Sequence, residues 1–336
     1  MNPWYTFKKE NLERLLSEWK KNAEVYVPLT DNEKHFWRVY DGTFSVSGLP
    51  GTRIHESAKK LFFPQRRVMA AYNTGSRWSM EPVEPAAETR IIVGLHPCDV
   101  SALEYMDAVF TQGNAEDPLY SAERDRTVIV GMFCSEMAAG CHCTERGVVP
   151  VDEHGMDVVL AESGDDYMIR WITDKGKAIF DQTDIPEPGS AEPPLITVDI
   201  PERVLPKPEA IMEFENQEFW NRASDFCLAC GVCAFNCPTC TCFQITDEQY
   251  RGSGERSTVW DSCQFRDYTR MAGGHNPRSE PVQRVKNRIL DKFAYSRLKY
   301  DILSCVGCGR CEMNCPNQID FRGLVREMVD EINNRA

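Results

Sequence analysis

The sequence predicts an α/β domain followed by a mostly helical one, α+β taken as a whole, and three observations carry that prediction. Two apolar, β-branched runs, Arg90–Leu95 and Thr127–Met132, have the composition of buried strands. Between them Ala102, Tyr105, Met106 and Val109 recur at helical spacing behind Asp99, a residue type that caps helices. Strand, helix and strand in that order make a βαβ unit with a parallel pair. Finally, Pro186, Pro188, Pro193, Pro194, Pro201, Pro206 and Pro208 crowd one stretch that cannot form a regular helix. This divides the chain into an α/β domain (1–183), a proline-rich linker (184–208) and a helical domain (209–336).

The first elements follow from periodicity. In Met1 to Lys21, Leu12, Leu15, Leu16 and Trp19 share one helical face, an amphipathic pattern instead of the unbroken apolar core of a signal peptide. A cytoplasmic protein is expected. Glu24 to Pro28 adds a hydrophobic segment, and Asp157 to Thr173 reads as a hairpin. No apolar run approaches the roughly 20 residues that cross a bilayer, so no direct membrane insertion is expected. With 336 residues, 42% of them hydrophobic, the chain can build two cored domains. Its net charge of −13 argues against a nucleic-acid surface, which needs concentrated Lys and Arg.

Fifteen cysteines at tight spacing in an intracellular chain point to metal binding and not to disulfides. Cys227, Cys230, Cys233 and Cys237-Pro238 form one C-x2-C-x2-C-x3-C-P run, and Cys305, Cys308, Cys311 and Cys315-Pro316 form another. Three cysteines at that step let a short, curved backbone aim three thiolates at one iron–sulfur cube, while the fourth is carried away by the next turn. In two-cluster ferredoxins the fourth cysteine serves the other cluster. By that rule Cys227, Cys230, Cys233 and Cys315 hold one [4Fe–4S] cluster, and Cys305, Cys308, Cys311 and Cys237 hold a second. The helical domain is then ferredoxin-like with two clusters. Gly231 and Gly309 sit between second and third ligands, where a missing side chain would let the backbone approach the cluster. A pair of four-thiolate zinc sites is the alternative, but zinc gives no reason for a third cysteine at the same step.

Between the runs, Arg278, Arg284, Lys286, Arg288, Lys292, Arg297 and Lys299 accompany Val285, Ile289 and Phe293 at helical spacing. Two readings stay open. The basic residues form a solvated helix face, or they compensate the negative charge of the clusters and raise their reduction potential.

The sequence resembles a known family beyond these ligands. Cys237-Pro-Thr-Cys240-Thr-Cys242-Phe, Trp260-Asp-Ser-Cys263, Met271-Ala-Gly-Gly-His275 and Cys305-Val-Gly-Cys308-Gly-Arg-Cys311 are similar to motifs of the anaerobic sulfite reductase A-type and sulfhydrogenase beta-subunit family. Upstream, Lys60-Leu-Phe-Phe-Pro-Gln65, Pro97-Cys98-Asp99 and Cys141-His-Cys143 resemble that family's N-terminal motifs. His142 departs from it, standing where an aromatic residue is usual, as does Thr144-Glu-Arg-Gly-Val-Val in place of a glycine-rich ending. The resemblance implies a carrier that stands between two partners. One is a flavin- and NAD(P)-binding reductase subunit, the other a catalytic redox subunit of sulfite reductase, hydrogenase or heterodisulfide-reductase type. In agreement, the chain has no G-x-G-x-x-G after a strand, no P-loop, no Ser-His-Asp constellation and no tandem Cys-Cys pair.

A third [4Fe–4S] cluster is expected at Cys98, Cys134, Cys141 and Cys143. Cys98 follows one strand of the βαβ unit and Cys134 the other, so both fall at the carboxyl edge where open α/β sheets bind ligands. Zinc and ordinary buried thiols remain alternatives. Cys240, Cys242 and Cys263 are left over, read as small buried hydrophobes, as donors to a cluster or as a separate metal site. His275 reads as a turn histidine, and Trp220 and Trp260 as core. The functional expectation is an iron–sulfur electron-transfer subunit that makes or breaks no substrate bond. A redox-sensing regulatory protein and a catalytic subunit with an incompletely ligated cluster are the rivals.

Overall fold

In the computed structural model, which describes residues 2–75, 77–112, 116–189, 192–198 and 205–335, the amphipathic N-terminal stripe is a buried helix. Strand β1 (Tyr5–Lys8) leads into α1 (Leu12–Lys20), whose Leu12, Leu15, Leu16 and Trp19 are all buried. There follow β2 (Glu24–Asp31), β3 (Lys34–Val39), α2 (Lys59–Phe62), β4 (Arg66–Asn73) and β5 (Ser79–Pro82). Then come β6 (Arg90–Leu95), α3 (Pro97–Thr111), α4 (Pro118–Asp125), β7 (Thr127–Met132), β8 (Val158–Ser163), β9 (Asp166–Trp171), α5 (Asp174–Phe180) and β10 (Glu187–Pro188). Eight of these strands form one sheet in the order β10-β1-β9-β8-β7-β6-β2-β3. Its centre is parallel, β2 to β6 to β7 to β8, and its flanks are antiparallel.

Parallel strands covered on both faces read as continuous apolar runs. Along β6 the pleat sends Ile91 and Val93 to the core under α1 and α5, and Ile92 and Leu95 to the core under α3. Gly94, at φ +92°, makes the register shift that puts Leu95 on the second face. The expected cap is corrected: α3 begins at Pro97 behind His96, since proline suits a first helical turn. Asp99 lies inside that turn, buried. Cys98 is therefore in the first turn of α3 and Cys134 just past β7, both at the carboxyl edge of the sheet.

After the proline-rich stretch, of which residues 190–191 and 199–204 with Pro201 lie outside the described residues, come α6 (Pro208–Met212), α7 (Gln217–Ser224) and α8 (Val232–Phe235). The expectation of a mostly helical region misses a hairpin, β11 (Phe243–Tyr250) and β12 (Ser253–Trp260), which is polar and exposed over most of its length. Its two-residue loop, Arg251 and Gly252, has positive φ at both positions, as a primed hairpin turn requires. Strand β12 pairs with β4, giving a second sheet ordered β11-β12-β4-β5 from both sides of the proline-rich stretch. Helices then resume with α9 (Pro281–Leu290), which runs through a π-helical turn (Asp291–Tyr295) into α10 (Ser296–Tyr300), then α11 (Arg310–Met313) and α12 (Phe321–Arg335). Phe219, Trp220, Ile289, Phe293, Phe321, Val325 and Met328 form their core. Among the described residues no helix is long and apolar enough to cross a membrane.

Buried polar contacts join the two regions. Arg310 donates to Asp99 Oδ2 at 2.8 Å and to the carbonyl of Ile54 at 2.9 Å, with both charged side chains inaccessible. Glu145, nearly inaccessible itself, accepts from Arg322 and Arg326 on α12. Burial works against its charge, but the two guanidiniums outweigh this and hold the carboxyl down to about 2.

Removing one partner of a buried pair strands the other charge, so Arg310→Met should lower unfolding stability by about 3–5 kcal/mol. The Asp99→Asn, Arg310→Met double variant should lose less than the sum of the singles. Urea unfolding of anaerobically purified protein reads both. Because the carboxyl of Glu145 is depressed, its stabilisation is complete above the unfolded value of about 4.3. It is lost as pH falls from there toward about 2. Glu145→Gln should flatten that part of the acid-unfolding profile, and an unchanged profile would refute the assignment.

Candidate functional site

Each cysteine run is bent by the same backbone device. In the first, Cys230 lies between Ala229 and Gly231, at φ +53° and +75°; in the second, Cys308 lies between Gly307 and Gly309, at φ +64° and +70°. Left-handed residues on both sides of the middle cysteine curl the chain around its thiol, at a cost for the alanine that glycine avoids. The expected reason for the glycines is corrected in part. A Cβ on Gly231 would come 2.8 Å from the Phe265 ring, one on Gly309 2.3 Å from the Gly140 carbonyl oxygen, and one on Gly307 2.5 Å from that of His142. The close approach is to other protein segments. The 139–143 loop of the α/β region thus lies backbone to backbone against the second run, and His142 N donates to Gly307 O at 2.8 Å.

Three thiol-lined cavities result. The first, about 60 Å³, is bordered by Cys227, Cys230, Cys233, Cys311 and Cys315 within a mostly apolar wall that includes Phe226, Leu228 and Phe321. The second, about 20 Å³, is bordered by Cys237, Cys305, Cys308 and Cys311, together with His142, Arg288 and Lys292. The third, also about 20 Å³, brings Cys98, Cys134, Cys141 and Cys143 together with Cys308. Cys311 is common to the first and second, and Cys308 to the second and third. Every expected ligand therefore lines the cavity of its own set. Among the described residues no three His, Cys, Asp or Glu side chains converge on a point that could hold one metal ion. A tetrahedral zinc would draw its sulfurs to about 3.8 Å from one another.

The surroundings of these thiols suit iron–sulfur clusters. Burial pushes Cys143 and Cys308 up to about 11 and raises Cys98, Cys134, Cys233 and Cys311 as well. Thiols held in this way ionise only against positive charge, which a metal core supplies. The imidazole of His142 is buried at the second cavity; its Nδ1 lies 3.0 Å from Gly140 O, and its Nε2 has no partner in the protein. An acceptor such as a cluster sulfide would satisfy that nitrogen. At the third cavity Arg53 donates to Cys141 Sγ at 2.7 Å, and His96 Nδ1 lies 3.5 Å from Cys134 Sγ.

Of the two readings of the basic stretch, the structure turns part of it inward. Arg284, Arg288 and Lys292 succeed one another at four-residue steps, and all three are buried. Arg288 donates to Cys240 Sγ at 3.4 Å and Cys233 O at 3.0 Å; Lys292 donates to Thr239 Oγ1 at 3.0 Å. Burial opposes the charge of both, yet the neighbouring thiol groups hold them protonated, Cys233 and Cys240 for Arg288, Cys237 and Cys240 for Lys292. A third cation escapes any sequence pattern. Lys59 of α2 donates to the carbonyls of Cys240 and Ala234 and lies 4.1 Å from the centre of the Trp260 ring, where burial lowers it to about 8. Trp220 is core as expected, Trp260 stacks on Phe63 and Phe235, and His275 stands in an exposed turn. Cys240 neighbours Cys237 of the second cavity and Cys242 neighbours Cys263, while Cys240, Cys242 and Cys263 themselves line none of the three cavities.

Comparison with known proteins bears on the region of the two C-terminal cysteine runs. Residues 226–319 match the family model of a 4Fe-4S dicluster domain. The chain is 26% identical over 328 residues to sulfhydrogenase 2 subunit beta of Pyrococcus furiosus, an alignment covering 92% of this chain and 93% of that protein. No solved structure matches the chain. It carries an iron–sulfur dicluster domain and is, over nearly its whole length, a relative of a sulfhydrogenase beta subunit, in keeping with the resemblance of its motifs to the anaerobic sulfite reductase A-type and sulfhydrogenase beta-subunit family.

Proposed function

We propose that the chain is a cytoplasmic electron-relay subunit with three [4Fe–4S] sites in series, linking a reductase partner that binds flavin and NAD(P) to a catalytic redox partner. One observation carries this reading: the three thiol-lined cavities adjoin, with Cys311 shared between the first and second and Cys308 between the second and third. Cys227, Cys230, Cys233 and Cys315 would hold the first cluster, Cys237, Cys305, Cys308 and Cys311 the middle one, and Cys98, Cys134, Cys141 and Cys143 the third. Each cluster, when bound, supplies a one-electron carrier.

What the protein contributes is environment. Cys230 is exposed, and Phe226 and Leu228 beside it are more than 60% accessible, so the first site has a surface edge for a partner. Arg288 borders the first and middle sites alike, and Lys292 adds a second fixed charge at the middle one, where the two together favour the more negative, reduced state and raise its potential relative to its neighbours. Arg53 does the same more weakly at the third site, through a single hydrogen bond to a thiol. In this arrangement the electron rests most stably in the interior, and substrate chemistry is left to the partners. The relative's name, a sulfhydrogenase subunit, fits a hydrogen-handling complex of that kind.

Metal analysis of anaerobically prepared protein should find about twelve irons per chain, and Cys98→Ala should remove about four of them with their EPR signal. About eight irons with one zinc would overturn the third site, and a Cys233→Ser, Cys311→Ser variant that keeps all its iron would overturn the other two. The pure, cluster-replete chain should neither oxidise NAD(P)H nor reduce sulfite, and should gain activity only on addition of its partner subunits. Turnover by the chain alone would favour a catalytic role.

A further inference from the structure

Cys242 and Cys263 line none of the three cavities, yet each thiol is the group that most strongly perturbs the other. Cys242 immediately precedes β11 and Cys263 follows β12 by three residues, so the pair closes the open end of the hairpin, where Asp261 N donates to Cys242 O at 3.0 Å. Their surroundings are polar. The half-buried Tyr268 side chain is among the groups that perturb Cys242, and Gln264 Nε2 donates to Cys263 Sγ at 3.5 Å. The same amide leads to the first cavity, since Gln264 Oε1 accepts from Cys227 Sγ at 3.9 Å while Nε2 is anchored on Arg284 O at 3.0 Å. A small buried thiol has no need of a second thiol within reach, and no third metal-binding side chain completes an ion site here among the described residues.

We propose that Cys242 and Cys263 are a redox-active dithiol/disulfide pair that exchanges electrons with the first cluster site across Gln264. The proposal rests on the electron-relay reading, because the clusters are its electron acceptors. The bond formed is Sγ–Sγ and the bond broken is the Cys242 S–H: one thiol and one thiolate give a disulfide, one proton and two electrons. The proton passes to the half-buried Tyr268 hydroxyl and from there to water. The electrons leave singly for the oxidised cluster held by Cys227 and go on to the acceptor partner; the reverse step restores the thiols. Cys242 adjoins β11 and Cys263 lies three residues past its partner strand β12, and a disulfide between them requires the two Cβ atoms to come to about 3.8 Å of each other. Cys242 also holds the Cys263 thiol below its ordinary value despite burial, which works in the same direction. Such a pair would store two electrons next to carriers that take one each.

The test uses the full, cluster-replete chain, poised anaerobically with redox mediators over the range in which its clusters titrate, denatured in iodoacetamide and mapped by mass spectrometry. A Cys242–Cys263 cross-linked peptide should appear on oxidation, its ratio to the doubly alkylated form changing about tenfold per 30 mV, as a two-electron couple demands. Cys242→Ser and Cys263→Ser should each abolish it without loss of iron. Alkylation of both thiols at every potential, or a cross-link confined to Cys237 or Cys240, would overturn the proposal. Iron content and cluster EPR of the same samples report separately on the relay reading, which fails only if those signals are absent.

Discussion

The buried Arg310–Asp99 pair is the constraint on which the arrangement of the thiols depends. Asp99 follows Cys98 in the first turn of α3, and Arg310 stands between Cys308 and Cys311, so one ion pair locks a cysteine of the α/β region beside two of the C-terminal run. Neither charge is accessible to water, and a carboxylate or guanidinium left alone there would be costly. The pair therefore specifies how the regions meet more strongly than apolar packing could, since packing tolerates small shifts and a buried charge does not.

Around that junction the backbone has no room to spare. Gly307 and Gly309 press against the carbonyls of His142 and Gly140, and the hairpin of β11 and β12 extends the β4–β5 sheet on the other side. The thiols are thus gathered by segments far apart in sequence, and each cavity is walled by elements that could not enclose it alone. Such a construction couples cluster occupancy to folding, because metal bound to thiols from several segments contributes its binding energy to the native state only.

The same packing decides the electrostatics. Three cations, Lys59, Arg288 and Lys292, converge on the Cys237 to Cys242 segment, facing thiols and carbonyls. In isolation each would be expensive to bury. Against sulfur ligands they become a fixed positive field, set by α2 from one region and α9 with its π-helical continuation from the other. The π-helical turn itself begins at Asp291 and carries Lys292 into the wall of the middle cavity.

Much of this protein is legible in its sequence because the relevant signals are local. The strands at Arg90–Leu95 and Thr127–Met132, the helix between them and the Asp157 to Thr173 hairpin follow from hydrophobic period, and the cysteine runs declare themselves by spacing alone. The edge position of Cys98 and Cys134 follows from βαβ topology. Spacing does not reveal partners distant in sequence. That Asp99 pairs with Arg310 instead of capping a helix, that Lys59 reaches the cysteine segment and that a polar hairpin completes a sheet begun some 170 residues earlier are decided by packing between remote segments. The hairpin was hidden because strands exposed on both faces lack the alternation that marks a half-buried one. The basic stretch shows the division most directly: helical period identifies which residues share a face, but only the tertiary structure decides that Arg284, Arg288 and Lys292 turn toward sulfur and away from water, because burying a cation requires an anion or lone pairs that no local sequence supplies.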